Sequence, residues 1–398
     1  MGLTILASVY GFAVYKHHTS ALKYLSLLLG VLATAWALWC LRRQGKALLT
    51  VPILTLMAFL GFVLLRLVLT PEPWRGLSWG VFTDGCLMSM LAAPLFMLSL
   101  ERKPQDARYV LFGIALGVFV VLRDQLGHIW GDYLKTHELL AIPTFYRHYG
   151  LRELLMVPFL MAATILLPKR WQWVTLPGIV LVAVMLAVTG FRGGWLAFGV
   201  SGLVLAHLLK AWKHVARMLV LLIPLLLAFI YYKGDYLMYK LGSGLDTSYR
   251  TTGTWAPAWD MIQFHPWWGF GGWGHKAVNA WLQTLLPQHQ NLFVGTGKFW
   301  GAQFNDPHNT YLAVWLHTGI IGLSLYLGCL FAMVRTTWRV AKAATEPAIK
   351  ALAAATCATV LGYFVALGCL ETLNLIMLGV MGGLAAALAR HQQRQPQA

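Results

Sequence analysis

Residues 47–70, ALLTVPILTLMAFLGFVLLRLVLT, form an apolar run that contains a single charged residue, Arg66. A helix needs roughly 20 apolar residues to cross the hydrocarbon core of a bilayer, so this stretch predicts a transmembrane helix. Comparable runs recur along the chain and predict about twelve spans by the same length rule. They cover residues 2–15, 21–41, 47–70, 79–100, 108–127, 152–168, 172–190, 195–211, 218–232, 310–334, 350–370 and 373–390.

The composition excludes an ordinary water-soluble enzyme. Of the 398 residues, 58% are hydrophobic and only 11% are charged, whereas soluble domains carry about 25% charged residues. The net charge is +17, but the basic residues lie in short clusters between apolar runs, which favours contact with anionic lipid headgroups over nucleic acid. We therefore expect an all-α polytopic membrane protein that contacts membrane lipids and no nucleic acid.

The basic clusters predict the topology. All of them fall on one side of the membrane if both termini are cytoplasmic, as the positive-inside rule requires. The opposite side then receives one large loop, residues 233–309, between spans nine and ten, with short amphipathic helices such as 254–264. Three regions follow: spans one to nine in residues 1–232, the outer loop in 233–309, and spans ten to twelve with a cytoplasmic tail in 310–398. The clusters are Arg42-Arg43-Lys46, Arg102-Lys103-Arg108, Lys169-Arg170, Lys210-Lys213-Arg217, Arg335-Arg339-Lys342 and Arg390-Arg394.

Several arginines lie on the outer side, against the positive-inside pattern: Arg147, Arg152, Arg192 and Arg250. A guanidinium costs roughly 2.5–3.5 kcal/mol at mid-bilayer, so it persists there when it has an anionic partner. A phosphate or diphosphate suits the guanidinium fork. The alternative for each arginine is that it extends to a headgroup or pairs with a nearby carboxylate.

Arg192 is the strongest candidate, because residues 189–195 (TGFRGGW) place it between two helix ends. The glycines allow close backbone approach, and amides at the start of the next helix would help to bind an anion. Only residues 191–194 separate spans seven and eight, and the alternative is one long helix with a buried arginine. Arg250 lies in SYRTT (248–252), before HPWWGFG (265–271), where a helix stop and a sharp turn are expected.

His308 is the candidate general base. In residues 305–312 (NDPHNTYL) it lies at the outer mouth of span ten. Nearby cations would keep the imidazole neutral, as a base requires, and Asn309 and Asp306 are candidates to orient it. The alternatives are a capping or interfacial histidine, with Asp306 as a helix cap. The histidines lack HxxxH or HExxH spacing and the five cysteines lack CxxC spacing, so we expect no metal site and no cofactor.

Three stretches together resemble the O-antigen ligase family of Gram-negative bacteria, in a superfamily with O-antigen polymerases and protein O-oligosaccharyltransferases. They are TGFRGGW with Arg192, Arg250 with the following HPWWGFG, and HNTYL (308–312) followed by GIIG (319–322). One departure is Phe191, where a small or hydroxylated residue would be expected, so a side-chain anion contact is missing there.

The resemblance implies transfer of O-polysaccharide from undecaprenyl diphosphate to lipid A–core oligosaccharide, at the periplasmic face of the bacterial inner membrane, without metal. It implies that Arg192 and Arg250 bind the diphosphate and that His308 takes the acceptor proton. Direct in-line attack with no enzyme nucleophile predicts inversion at the sugar carbon. Further substrate contacts are expected from Arg147, Arg152, Asn309, Lys276 and Lys298.

Two other functions stay open at this stage. A polymerase or a protein O-glycosylating enzyme would share the arginine and histidine chemistry but accept a different hydroxyl. A transporter is disfavoured, because transporters place ionisable groups near mid-span. Here the spans are nearly free of charge apart from Arg66 and the pair Arg123-Asp124 near span ends.

Overall fold

The computed structural model describes residues 49–72, 82–98, 106–137, 147–188, 192–245, 255–273, 307–368 and 375–394, with a few isolated positions besides. Within these ranges the regular elements are helices, and no β-strand occurs. A π-helical turn, Phe82–Leu87, leads into the second helix. The described helices are α1 (Val51–Leu69), α2 (Met88–Leu98), α3 (Asp106–Thr136), α4 (Arg147–Leu166), α5 (Lys169–Val188), α6 (Arg192–Leu209), α7 (Trp212–Leu245), α8 (Ala256–Phe264), α9 (Thr310–Ala343), α10 (Pro347–Leu367) and α11 (Leu375–Arg394).

Membrane-spanning helices dominate the described part of the chain, as predicted. Five of its helices are long and apolar enough to cross a bilayer: α1, α3, α9, α10 and α11. Shorter apolar stretches lie in α2, α4 and α6. Large apolar side chains such as Val51, Leu116 and Leu196 are exposed, which suits a surface covered by lipid. The chain is therefore a multi-pass membrane protein; spans 2–15 and most of 21–41 lie outside the described residues, so the total of twelve stays a prediction.

Spans seven and eight are two helices, since α5 ends at Val188 and α6 begins at Arg192. The indole of Trp195 donates a hydrogen bond to the carbonyl of Leu186 at 2.7 Å and ties the two helices together across this turn. Gly193 and Gly194 lie in the first turn of α6. The alternative of one long helix around a buried arginine is wrong.

The start of the predicted outer loop differs from the structure. Helix α7 continues to Leu245, so residues 233–245 of the predicted outer loop are helical, while the membrane boundary predicted at 232 stays a prediction. No proline occurs between residues 225 and 245, and nothing in that stretch removes a backbone donor or clashes with the preceding turn. The apolar run ends near 232, but the helix does not, because hydropathy marks the membrane boundary and not the helix boundary.

The core forms where α9, α10 and α6 pack together. Helix α10 is rich in small residues, with Ala351 to Ala355 and Ala358 almost completely buried. Small side chains allow helix backbones in a membrane to approach closely. The Ser201 hydroxyl on α6 donates to the carbonyl of Ala358 at 3.0 Å, and Phe59 on α1 packs against Tyr326 on α9 with ring centroids 5.1 Å apart.

Candidate functional site

The helices α6 and α9 run parallel to each other and antiparallel to α10. On α9, the Tyr311 hydroxyl donates to the Phe364 carbonyl, and Val334 faces Cys357 further along. On α6, Ala197 lies against Gly362, and Ser201 bonds to Ala358. As the residue number increases along α6 or α9, the residue number of the contacting position on α10 decreases, so both helices are antiparallel to α10. Both helices begin at the same end of the bundle, where α10 ends; we call it the His308 end.

The starts of α6 and α9 also lie at a similar level. Arg192 precedes Ala197 by about 7.5 Å of helix. Because Ala197 lies against Gly362, Arg192 is at the level of Leu367, the last residue of α10. His308 lies three residues before Tyr311, whose hydroxyl donates to the Phe364 carbonyl, three residues before the end of α10. The first residue of α6 and the turn before α9 therefore flank the same helix end.

The basic clusters of α5 and α9 lie at the opposite end of the bundle. Arg335, Arg339 and Lys342 occupy the last turns of α9, while Lys169 and Arg170 begin α5. Because the end of α5 meets the start of α6 through Trp195, the start of α5 lies away from the His308 end. This separation agrees with the predicted topology, in which one side collects the basic residues.

His308 lies in a sharp turn directly before α9. Its φ of 50° falls in the left-handed region, which non-glycine residues adopt rarely and which is found at functional sites when the surroundings hold it there. Pro307 before it is buried, His308 itself is half-buried, and the Nδ1 atom of its ring is buried. The turn holds the histidine just outside the helix that Asn309 caps.

Asn309 caps α9 at its N-terminus. Its Oδ1 atom accepts hydrogen bonds from the backbone amides of Tyr311 at 3.0 Å and Leu312 at 3.3 Å. Asp306 was a candidate for the helix cap, but Asn309 is the capping residue. Asp306 lies outside the described residues. The predicted substrate contact by Asn309 stays a prediction, with the amide nitrogen as its available donor.

We expect Asn309→Ala to destabilise the turn that carries His308. Loss of an N-cap costs about 1 kcal/mol in typical helices, because the first amides of the helix lose their acceptor. The apparent unfolding temperature in detergent should fall by a few degrees. Asn309→Ser should retain most of the wild-type stability, because serine is also a good cap. Equal stability of the alanine variant and wild type would contradict a capping role.

The other predicted site residues divide into two groups. Arg147 begins α4, and Arg152 lies in its second turn. Helix α4 joins the start of α5 through a short turn at the basic end, so α4 begins at the His308 end. Only the backbones of Arg147, Arg152 and Arg192 are described. Arg250, Lys276 and Lys298 lie outside the described residues.

A further element at this end was not predicted from the sequence. Residues 265–273 follow α8 and run against residues 315–321 of α9 and the last turn of α1; we call this segment the latch. The Nη2 atom of Arg66 on α1 donates to the carbonyl of Gly269 at 2.9 Å. Burial, and then the charge of Arg66, lower the pKa of His265, so its imidazole is uncharged at neutral pH. In the sequence Arg66 is only a charged residue near a span end. Nothing in the sequence pattern predicts its hydrogen bond to Gly269, about two hundred residues later.

The described residues contain no group of three His, Cys, Asp or Glu side chains placed to hold a metal ion. The His308 end instead contains the N-termini of two helices, the imidazole of His308 and the first residue of α6, which is an arginine. Anions bind readily to helix N-termini, where unpaired amides and the helix dipole act together. The arrangement can therefore hold an anionic group beside a histidine.

Comparison with known proteins identifies the relatives of this chain. Residues 177–327 match the family model described as O-antigen ligase. The matched range contains Arg192, Arg250 and His308. The O-antigen ligase of Salmonella typhimurium (strain LT2) is 26% identical to this chain over 317 residues, which cover 77% of this chain and 74% of that protein.

Proposed function

Because the chain is similar to O-antigen ligases both over residues 177–327 and over most of its length, we propose that it is a glycosyltransferase of this type. The donor is O-polysaccharide linked to undecaprenyl diphosphate. The acceptor is the lipid A–core oligosaccharide. The protein resides in the bacterial inner membrane, and its site faces the periplasm.

One structural observation supports this proposal most strongly. The starts of α6 and α9 flank the end of α10, and the basic clusters of α5 and α9 lie at the other end of the bundle. If the basic end is cytoplasmic, the His308 end faces the periplasm. A lipid-linked donor and a lipid-linked acceptor in the outer leaflet would then meet the site from the same plane.

Charge stabilisation by arginine is the first step of the proposed mechanism. The bond between the anomeric carbon and the diphosphate oxygen breaks, and its electron pair leaves with undecaprenyl diphosphate. The guanidiniums of Arg192 and Arg250 stabilise the negative charge that develops there. Arg147 and Arg152 contribute further phosphate contacts, and Lys276 and Lys298 meet phosphates of the acceptor core.

Acceptor activation by His308 is the second step. The acceptor oxygen forms the new bond to the anomeric carbon, while its proton passes to the neutral imidazole. A positioned general base contributes about 10²–10⁴ in rate. Since the oxygen attacks opposite the leaving diphosphate without an enzyme-bound intermediate, the configuration at the anomeric carbon inverts. Holding two lipid-anchored substrates in one plane saves part of the entropy of their encounter.

We expect full transfer activity in the presence of EDTA. The proposed mechanism stabilises the leaving diphosphate with guanidiniums, so removal of divalent ions should change the initial rate less than twofold. The measurement is glycan transfer by the purified protein in detergent, with and without the chelator. Loss of activity on chelation, restored by one particular divalent ion, would contradict the metal-independent mechanism.

A deletion strain tests the proposed reaction in the cell. Without this protein, lipid A–core should lack polymer, and undecaprenyl-linked polymer should accumulate at full chain length. Mass spectrometry of both lipid fractions distinguishes the outcomes. Chains of a single repeat unit would instead indicate a polymerase, and an unchanged lipid A–core with missing glycoprotein glycans would indicate a protein O-oligosaccharyltransferase.

A further inference from the structure

Helix α9 is broken inside its length. Gly319 has φ 69° and ψ −176°, which are not helical. The break separates an outer segment, Thr310–Thr318, from an inner segment, Ile320–Ala343. The inner segment is about 36 Å long at 1.5 Å per residue and crosses a hydrocarbon core of about 30 Å on its own. The break therefore lies between this longer segment and the turn that carries His308.

The break removes helical hydrogen bonds, and the latch replaces them pair by pair. In an unbroken helix the amide of Ile320 would bond to the carbonyl of Leu316. Instead, Ile320 donates to Pro266 at 2.8 Å, and Leu316 accepts from Phe270 at 3.1 Å. Backbone groups buried without such partners are costly, so the latch is required for the break.

The next helical pair is replaced in the same way. The amide of Ile321 approaches the carbonyl of Trp267 at 3.5 Å, and the carbonyl of His317 accepts from the amide of Gly271 at 3.1 Å. Both sides of the break are thus bonded to one segment of six residues. The outer and inner segments of α9 are connected through the latch as well as through Gly319.

Side chains fasten the latch to its surroundings. The Trp315 indole donates to the Pro266 carbonyl at 3.0 Å, and the His317 Nδ1 atom lies 2.7 Å from the Gly272 carbonyl. On the other side of the latch, the guanidinium of Arg66 bonds to the Gly269 carbonyl, and the Trp273 amide donates to the Ser78 hydroxyl at 2.6 Å. The latch therefore joins the outer segment of α9 to the end of α1.

Two glycines make the close approach possible. A Cβ atom on Gly319 would lie 2.0 Å from the Trp267 carbonyl oxygen, and one on Gly269 would lie 2.4 Å from the His317 carbonyl carbon. Both residues have positive φ, 69° and 67°, which favours glycine. Any larger residue at either position would push the latch away from the break.

We propose that the latch is a positioning element for His308, and this inference rests on the proposed role of that residue as general base. A break in a helix without other bonds is a hinge, and His308 lies about 15 Å from Gly319 along the outer segment. A tilt of only about 10° at the hinge would move the histidine by about 3 Å, which exceeds the range of a productive hydrogen bond. The latch fixes the angle between the two segments.

The test compares Gly319→Ala with Gly328→Ala in the same helix. A Cβ on Gly328 would meet nothing within 4 Å, so this variant is a matched control. We expect Gly319→Ala to lower kcat at least tenfold, with a change in KM for the lipid-linked donor of less than twofold. Hydrogen exchange at the amides of Phe270 and Gly271 should become faster, because they lose their carbonyl acceptors. The control should match wild type in all three measurements.

A milder variant covers the case in which Gly319→Ala does not fold. Trp315→Phe keeps an aromatic ring and removes one of the two donors to the Pro266 carbonyl. We expect a kcat about threefold lower and faster exchange in the latch, at an unchanged unfolding temperature. Faster exchange with an unchanged kcat would overturn the positioning role. Unchanged exchange in both variants would show that the latch does not hold the break. If wild type transfers no glycan, the proposed function fails, while exchange still decides whether the latch holds the break.

Discussion

His308→Ala abolishes glycan transfer, with an expected loss in kcat of about 10²–10⁴-fold, the contribution of a positioned general base. Without the imidazole, the acceptor hydroxyl would have to lose its proton to bulk water. Donor binding should survive, because the imidazole makes no required contact with the diphosphate in the proposed mechanism. The measurement is the initial rate of transfer at saturating donor, with purified protein in detergent.

The control for this variant is His391→Ala, at the end of α11 and away from the His308 end. It removes a histidine of the same chain and should leave the rate unchanged. The unfolding temperature of His308→Ala should stay close to wild type, because the cap on α9 comes from Asn309. A rate for His308→Ala within twofold of wild type would remove His308 from the reaction.

Arg192→Ala is the second large effect. Arg192 is the first residue of α6, and the amides and dipole of a helix N-terminus favour an anion. Removing one preorganised group that stabilises developing charge typically costs about 10²–10³ in rate, and we expect a loss of this size together with weaker donor binding. Arg192→Lys should recover only part of the rate, because lysine keeps the charge but not the planar fork.

The control is Arg217→Ala, near the start of α7 at the basic end, where a lost charge should not alter transfer. Binding of undecaprenyl diphosphate to both variants, measured by native mass spectrometry, separates a binding defect from a folding defect. If Arg192→Ala binds the lipid diphosphate as tightly as wild type and transfers at the wild-type rate, this arginine has no part in the site.

Much of the site framework was predictable from local sequence. The separation of α5 and α6 was predicted from residues 191–194, and the end of α8 follows from His265-Pro266. The amphipathic segment proposed for residues 254–264 is the helix α8, in which Met261 and Ile262 are buried while Trp259 is exposed. Each of these features depends on residues close together in the chain, so the local sequence is sufficient to predict it.

The break in α9 was not predictable in the same way. Glycine is common inside transmembrane runs, and nothing in residues 310–334 distinguishes Gly319 from Gly322 or Gly328. Its conformation depends on partners about fifty residues earlier, in the latch, and these in turn depend on Arg66 in a distant span. A similar limit applies to the N-cap, because Asp306 and Asn309 are equivalent candidates until the helix start is fixed at Thr310.

Transfer by the purified protein tests the central claim most directly. The protein in detergent is mixed with undecaprenyl-diphosphate-linked O-polysaccharide and lipid A–core oligosaccharide, and the products are followed by mass spectrometry and by NMR of the new anomeric centre. We predict polymer-bearing lipid A–core and free undecaprenyl diphosphate in equal amounts, with inverted configuration at the linkage. Intact substrates after incubation with folded protein, or a retained anomeric configuration, would contradict the account.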